Sequence, residues 1–132
     1  MIEILERERQ NPLFHIWKSI PHEMFLAIER EASCFVGNSS AAIIESASFK
    51  TPVVNLGERQ RGRFCGNNVI SVSPNRADIV SAIEKSFYDR TYRRALQAVT
   101  NPWGDGRAGE RVCKALETIE VSERLLSKQN TY

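Results

Sequence analysis

The sequence predicts an α/β fold in which helices flank a parallel sheet. Three short apolar segments, 33–36, 51–56 and 68–72, have the length and composition of buried strands. Stretches with the apolar spacing of amphipathic helices lie between or beside them. Strands that alternate with helices favour βαβ units, which make the strands parallel and cover both faces of the sheet. The expected architecture is therefore Rossmann-like.

The remaining elements follow from local signals. Asn11-Pro12 ends a charged helical run, Pro21 suits a first helical turn, and Pro52 suits the start of a strand. The predicted order is a helix over 3–10, a strand over 13–17, helices over 21–32 and 41–49, a loop over 57–67, and helices over 76–87, 92–99 and 107–120. Residues 1–120 are expected to form a single α/β domain, and residues 121–132 a polar, flexible tail.

Length and composition indicate an ordinary globular protein. The chain has 132 residues, of which 42% are hydrophobic and 26% charged, and a net charge of +2. No apolar run approaches the roughly 18–20 residues of a membrane helix. The net charge is too small to indicate nucleic acid or membrane as a partner. Neither nucleic acid nor a membrane is therefore expected as a partner. The expected location is the cytoplasm.

Cysteine and histidine spacing indicates no metal site. Cys34, Cys65 and Cys113 are odd in number, and none belongs to a Cys-x-x-Cys pair, so neither zinc nor a disulfide framework is expected. His15 and His22 lack the i, i+4 spacing that places two imidazoles on one metal. No metal and no cofactor are expected.

The segment Gly37-Asn38-Ser39-Ser40 lies between a predicted strand and a predicted helix. Ligands of open parallel sheets bind beyond the carboxyl ends of the strands. Gly37 permits a tight turn. The free N–H groups of the first helical turn and the serine hydroxyls would together suit a phosphate. A serine N-cap without a ligand is the alternative, and the two serines alone do not separate these interpretations.

Two downstream features favour the phosphate interpretation. Glu45 lies one helical turn after Ala41 on the same face, where a carboxylate can accept hydrogen bonds from both hydroxyls of a ribose. Arg59, Arg61 and Arg63 alternate in the loop after the next strand and form a candidate clamp for a diphosphate. The alternatives are a solvated glutamate and a solvated basic loop. A nucleic-acid patch is disfavoured, because no aromatic residue stands between these arginines.

Three ordered blocks resemble UDP-N-acetylglucosamine 2-epimerases. They are Gly37-Asn38-Ser39-Ser40 with Glu45, then Thr51-Pro52-Val53-Val54-Asn55-Leu56-Gly57-x-Arg59-Gln60-x-Gly62-Arg63, and Asn101-Pro102-Trp103-Gly104-Asp105-Gly106-x-Ala108. Three blocks in order are a more specific signal than any one of them. The sequences of these blocks are most similar to those of the hydrolysing branch of the family, which releases N-acetylmannosamine and UDP on the route to sialic acids.

The resemblance implies roles for individual residues. Ser39 and Ser40 would hold the UDP phosphates, Glu45 the ribose hydroxyls, and Arg59 the diphosphate or the nearby uridine. The residues that match with weaker assignments are Phe25, Gly37, Asn38, Gln60 and Arg63. An aromatic residue at the first of these positions would lie near uracil, although helix packing explains it equally well.

The resemblance covers only part of the family's fold, which is of the two-lobed glycosyltransferase-B type. The chain matches part of the carboxy-terminal lobe. The family's acid/base residues and its histidine fall outside the matched part, and neither His15 nor His22 fits that histidine's motif. No catalytic residue is expected in this chain. The resemblance implies an isomerase or hydrolase, but we expect the chain to be inactive alone.

The leading hypothesis is therefore the UDP-binding portion of a sugar-nucleotide 2-epimerase, with UDP or UDP-N-acetylglucosamine as ligand. A cut sheet leaves an edge that can pair with another chain, so a protein partner is expected, either the amino-terminal lobe or a second copy. The donor-nucleotide lobe of a glycosyltransferase and a non-enzymatic interaction module are the alternatives.

Overall fold

A computed structural model describes residues 2–127 of the chain. The elements in chain order are α1 (Ile2–Glu8), α2 (His22–Glu31), β1 (Phe35–Gly37), α3 (Ser40–Ile44), α4 (Ser46–Phe49), β2 (Val53–Leu56), β3 (Val69–Val72), α5 (Arg76–Tyr88), α6 (Arg90–Leu96), α7 (Ala108–Thr118) and α8 (Glu123–Leu126). Most predicted helices and the three core strands are therefore confirmed, with their ends shifted by no more than three residues.

The three strands form one parallel sheet in the order β1-β2-β3. Phe35 pairs with Val53 and Gly37 with Asn55, while Val53 pairs in turn with Val69. Val53 and Val54 of the central strand are completely buried although their side chains point to opposite faces. The sheet is therefore covered on both sides, as a parallel sheet requires. This confirms the predicted α/β class.

Different helices cover the two faces. Ile43 of α3 lines a cavity with Asn55 and Val69, which share one face of the sheet. Ala82 of α5 lines another cavity with Ile70, which belongs to the opposite face. The core between these layers is built from small and branched aliphatic side chains, which are Ala42, Ile43, Ala47, Val53, Val54, Ala82 and Leu96.

A buried asparagine joins three parts of the core. Asn68 is fully buried, and its Nδ2 donates to Ser46 Oγ and to the Thr51 carbonyl, each at 2.8 Å. Its own carbonyl accepts from the Tyr92 hydroxyl at 2.7 Å. Burial raises the pKa of Tyr92 to about 12, and the charge of Cys34 adds a smaller rise. These bonds connect the start of β3 to the helices on either side of it.

The predicted strand over 13–17 is wrong. This segment is irregular, and Leu13 and Trp17 are 84% and 53% exposed. Its apolar and aromatic composition suits a strand, but a strand also needs a neighbour to satisfy its backbone groups. No strand of the described residues pairs with it.

The single helix predicted over 41–49 is also wrong, because it is broken in two at Glu45. The Ser46 hydroxyl donates to the Ala42 carbonyl one turn earlier. Serine side chains that bond back to a helical carbonyl in this way bend helices. Glu45 consequently ends α3 and precedes α4.

The helices at the end of the described chain are the least buried. All residues of α7 are exposed, including Val112 and Leu116. Within the expected tail, α8 forms one helical turn, and residues 128–132 lie outside the described part. None of the helices within residues 2–127 has both the length and the apolar character needed to cross a bilayer.

Candidate nucleotide site

The candidate site lies at the carboxyl ends of β1 and β2. These strands are parallel and in register, so the segment after Gly37 and the loop after Leu56 leave the sheet at the same edge. Gly57 and Gly62 of this loop have φ values of 68° and 76°, which L-residues with side chains rarely adopt. The loop therefore turns back toward the beginning of α3.

Ser39 is the N-cap of α3. It has extended φ and ψ angles of −73° and 143°, and its Oγ accepts from the Ala41 amide at 3.3 Å. Ser40 begins the helix and is half-buried. The predicted cap is thus present, and both serines stand at the end of the sheet where a ligand is expected.

Two side chains of the loop hold the Gly37–Ser40 segment in place. Gln60 is only 5% exposed, and its Nε2 donates to the Asn38 carbonyl at 2.7 Å. Arg59 donates to the same carbonyl at 3.3 Å through an exposed guanidinium. The structure therefore brings together the two segments that the sequence placed at this site. It also assigns Gln60 a contact that sequence reasoning left open.

The other two arginines of the expected clamp behave differently. Arg61 forms an exposed ion pair with Glu58 at 2.8 Å, within the loop itself. The Arg63 side chain is exposed, and its backbone amide bonds to the Gln60 carbonyl. Of the three, Arg59 alone contacts the Gly37–Ser40 segment in the described part of the chain. The clamp of three arginines is therefore not assembled, and a single guanidinium faces the site.

Glu45 lines a cleft of about 540 Å³ between α2, the α3–α4 break and the turn at 101–106. Its Oε2 is buried and has no hydrogen-bond partner among the described residues. The cleft is rimmed at its far side by Asp105 and Arg111, whose two hydrogen bonds measure 2.8 and 2.6 Å. These bonds hold the pKa of Asp105 well below its usual range.

A second carboxylate near Glu45 was not recognised in the sequence. Glu29 of α2 is 2% exposed, and neither of its carboxylate oxygens has a partner in the described chain. Burial, and to a lesser degree the charge of Glu45, raises the pKa of Glu29 to about 7. Its position one turn after Phe25 on the buried face of α2 was the available signal.

Phe25 is held by aromatic packing. Its ring lies edge-on to Phe35 with 6.3 Å between centroids and is stacked with His22 at 6.4 Å. Phe25 is therefore part of the contact between α2 and β1, on the same face of the sheet as α3.

The chain is similar to known sugar-nucleotide epimerases over most of its length. Residues 1–117 match the family model described as UDP-N-acetylglucosamine 2-epimerase. The chain is 31% identical over 130 residues to the UDP-N,N'-diacetylbacillosamine 2-epimerase (hydrolyzing) of Legionella pneumophila, a match that covers 98% of this chain and 33% of that relative. It is 36% identical over 85 residues to a polysialic acid biosynthesis protein of Escherichia coli, covering 64% of this chain and 22% of the relative.

A solved structure shares the fold. The UDP-GlcNAc 2-epimerase from Methanocaldococcus jannaschii superposes with a TM-score of 0.65 and 22% identity, covering 87% of this chain and 31% of that one. The chain thus spans about a third of the length of the Legionella relative. The family that the three sequence blocks resemble is confirmed.

Proposed function

The chain belongs to the UDP-N-acetylglucosamine 2-epimerase family, and on that basis we propose that it supplies the UDP-binding portion of a hydrolysing sugar-nucleotide 2-epimerase. The whole enzyme would convert UDP-N-acetylglucosamine, or a related diacetamido sugar nucleotide, into a free 2-epimeric sugar and UDP. Such a sugar would feed the synthesis of sialic-acid-type compounds. The observation that carries the proposal is the contact of Arg59 and Gln60 with Asn38, beside Ser39 and Ser40.

This contact supports a diphosphate site on physical grounds. The positively charged guanidinium of Arg59 lies at the edge of the sheet where the serine hydroxyls also lie. Charge-assisted hydrogen bonds to phosphate are about twice as strong as neutral ones. The carboxylate of Glu45, which lines the cleft at the other end of α3, would supply acceptors for the ribose hydroxyls. In this proposal Ser39 and Ser40 hold the phosphates and Glu45 holds the ribose.

The chain's part in the reaction would be to bind the leaving group. As the bond between the sugar and UDP breaks, negative charge grows on the diphosphate, and Arg59 with the two serines would stabilise it. Removal of the proton at sugar C2 and protonation of the leaving oxygen need acid/base groups. We assign none of these to this chain, and we therefore propose that it is inactive alone.

A protein partner and a cytoplasmic location belong to the same proposal. Within the described residues β1 pairs only with β2, so its other edge is free to accept a strand from an amino-terminal lobe or from a second copy. Cys34, Cys65 and Cys113 are free thiols, and the last two are exposed, which suits a reducing compartment.

Calorimetry with UDP tests the proposed site. We expect Ser40→Ala to weaken UDP binding by about fivefold, the effect of one hydrogen bond, and Glu45→Gln by about tenfold, because a charged acceptor is lost. Glu58→Gln is the matched control, since that exposed carboxylate pairs with Arg61 and should leave the affinity unchanged. Absence of UDP binding at millimolar ligand would contradict the proposal and favour the interaction module.

A further inference from the structure

The turn formed by residues 101–106 bonds both to the carboxyl end of α3 and to the arginine-containing loop. This loop bonds in turn to the segment at the amino end of α3, so the turn connects the two ends of the helix. We propose that Asn101 and Trp103 are positioning residues that hold Glu45 and the loop of Arg59 at a fixed separation. This inference rests on the proposed nucleotide site. In it, the turn sets the distance between the group proposed to bind the ribose and the group proposed to bind the diphosphate.

Asn101 holds the carboxyl end of α3. Its Nδ2 donates to the Ile44 carbonyl at 2.8 Å and to Ser48 Oγ at 2.7 Å. In a continuous helix the Ser48 amide would bond to the Ile44 carbonyl, but at the break it donates to the Glu45 carbonyl instead. Asn101 therefore satisfies a carbonyl that the helix break has released, and it does so at the residue next to Glu45.

Trp103 holds the loop. Its indole Nε1 donates to the Phe64 carbonyl at 3.0 Å, at the end of the segment that carries Arg59. Its backbone amide donates to Asn101 Oδ1 at 2.9 Å, so the Asn101 side chain is fixed to the backbone of Trp103 inside the turn. Gly104 and Gly106 have φ values of 152° and 79°, which let the chain reverse after this point.

These contacts close a ring. Gln60 joins the loop to Asn38 at the amino end of α3, Trp103 joins the loop to the turn, and Asn101 joins the turn to Ile44 at the carboxyl end. A shift of the loop relative to Glu45 would have to break one of these bonds. The turn therefore fixes the distance that separates the two groups proposed to bind the nucleotide.

Two substitutions remove bonds of the ring. Trp103→Phe keeps an aromatic side chain but removes the indole donor, together with part of the aromatic surface. Asn101→Asp keeps Oδ1 as the acceptor of the turn and removes both Nδ2 bonds. Glu110→Gln is the control, since it weakens the exposed ion pair with Arg107 just after the turn without touching the ring. Ser48→Ala is a second control, because it leaves the bond to the Ile44 carbonyl in place.

Hydrogen exchange of the ligand-free protein tests the ring directly. The Arg61 and Arg63 amides bond within the loop to the carbonyls of Glu58 and Gln60. We expect Trp103→Phe to accelerate their exchange by about three- to tenfold, the effect of one lost hydrogen bond, while the amides of β2 stay unchanged. Unchanged exchange at these two amides would overturn the inference, whether or not the protein binds UDP.

The affinity for UDP then separates positioning from general stability. We expect Trp103→Phe to weaken UDP binding by about three- to tenfold at an unchanged melting temperature, and both controls to match the wild type. An equal loss in Glu110→Gln, or faster loop exchange with unchanged affinity, would overturn the positioning role. If the wild-type chain fails to bind UDP, the proposed function fails, and the exchange rates alone decide whether the ring exists.

Discussion

Glu29 is a carboxylic acid whose burial has a consequence for stability. Burial and the charge of Glu45 raise the pKa of its side chain from 4.5 to about 7 in the folded chain. The unfolded chain releases the proton near 4.5, so the folded state binds it more tightly. Stability is therefore unaffected below pH 4.5, falls as the pH rises from there to about 7, and is constant above. The total loss is of the order of 3 kcal/mol.

We expect Glu29→Gln to remove most of this loss, because an amide does not ionise. Urea denaturation at pH 5 and pH 8 measures the free energy of unfolding, which should fall about 2 kcal/mol more in the wild type than in the variant. Glu31→Gln is the control, since Glu31 is exposed beside Arg30 and should follow the wild type. The same pH dependence in Glu29→Gln and the wild type would refute the assignment.

Single residues also show which parts of the site could be predicted from the sequence and which could not. Ser39, Ser40 and Arg59 were placed correctly at one edge of the sheet, because the carboxyl ends of parallel strands always meet there. The contact of Gln60 with Asn38 and the burial of Glu29 depend on how distant segments pack. Residue type carries no direct signal for such packing, and helical spacing indicates only that Glu29 shares a face with Phe25.

Among the elements, β2 and α5 were predictable because their pattern and their environment agree. Val53 and Val54 make a continuous apolar run, and both are buried. The segment 13–17 has a similar pattern but no neighbour in the described chain, and it is irregular. The break at Glu45 depends on the rotamer of Ser46, which bonds to Ala42. Local composition therefore indicates the tendency of a segment, and pairing decides the outcome.

Helices α6 and α7 differ in how well their apolar residues pack. Leu96 of α6 is 5% exposed, whereas Leu116 of α7 is 68% exposed. We expect Leu96→Ala to lower the free energy of unfolding by about 2–4 kcal/mol through loss of burial and creation of a cavity. Leu116→Ala should change it by less than about 0.5 kcal/mol.

Urea denaturation of the two alanine variants at equal protein concentration makes the comparison, because both remove the same atoms. A cost for Leu116→Ala that approaches the cost for Leu96→Ala would show that α7 is covered in solution.

On the scale of the whole molecule, the sheet is narrow and open at one side. Three strands of three or four residues are few for an α/β protein, and β1 has a neighbour on one side only within residues 2–127. Val36 of β1 is 43% exposed even though the paired residue Val54 is fully buried. An open edge beside an uncovered apolar side chain is the arrangement that natural sheets protect with charge or cover with another chain.

We expect the isolated chain to associate through this edge, and Val36→Lys to reduce that association. A lysine there would place a charge beside the unpaired backbone groups, which opposes strand addition. Light scattering over a range of concentrations measures the effect. Val80→Lys is a closely matched control, because Val80 lies on α5, away from the edge, and is 42% exposed. A wild-type chain that stays monomeric at high concentration would contradict self-association. An equal effect of both lysines would assign the association to general surface charge instead of β1.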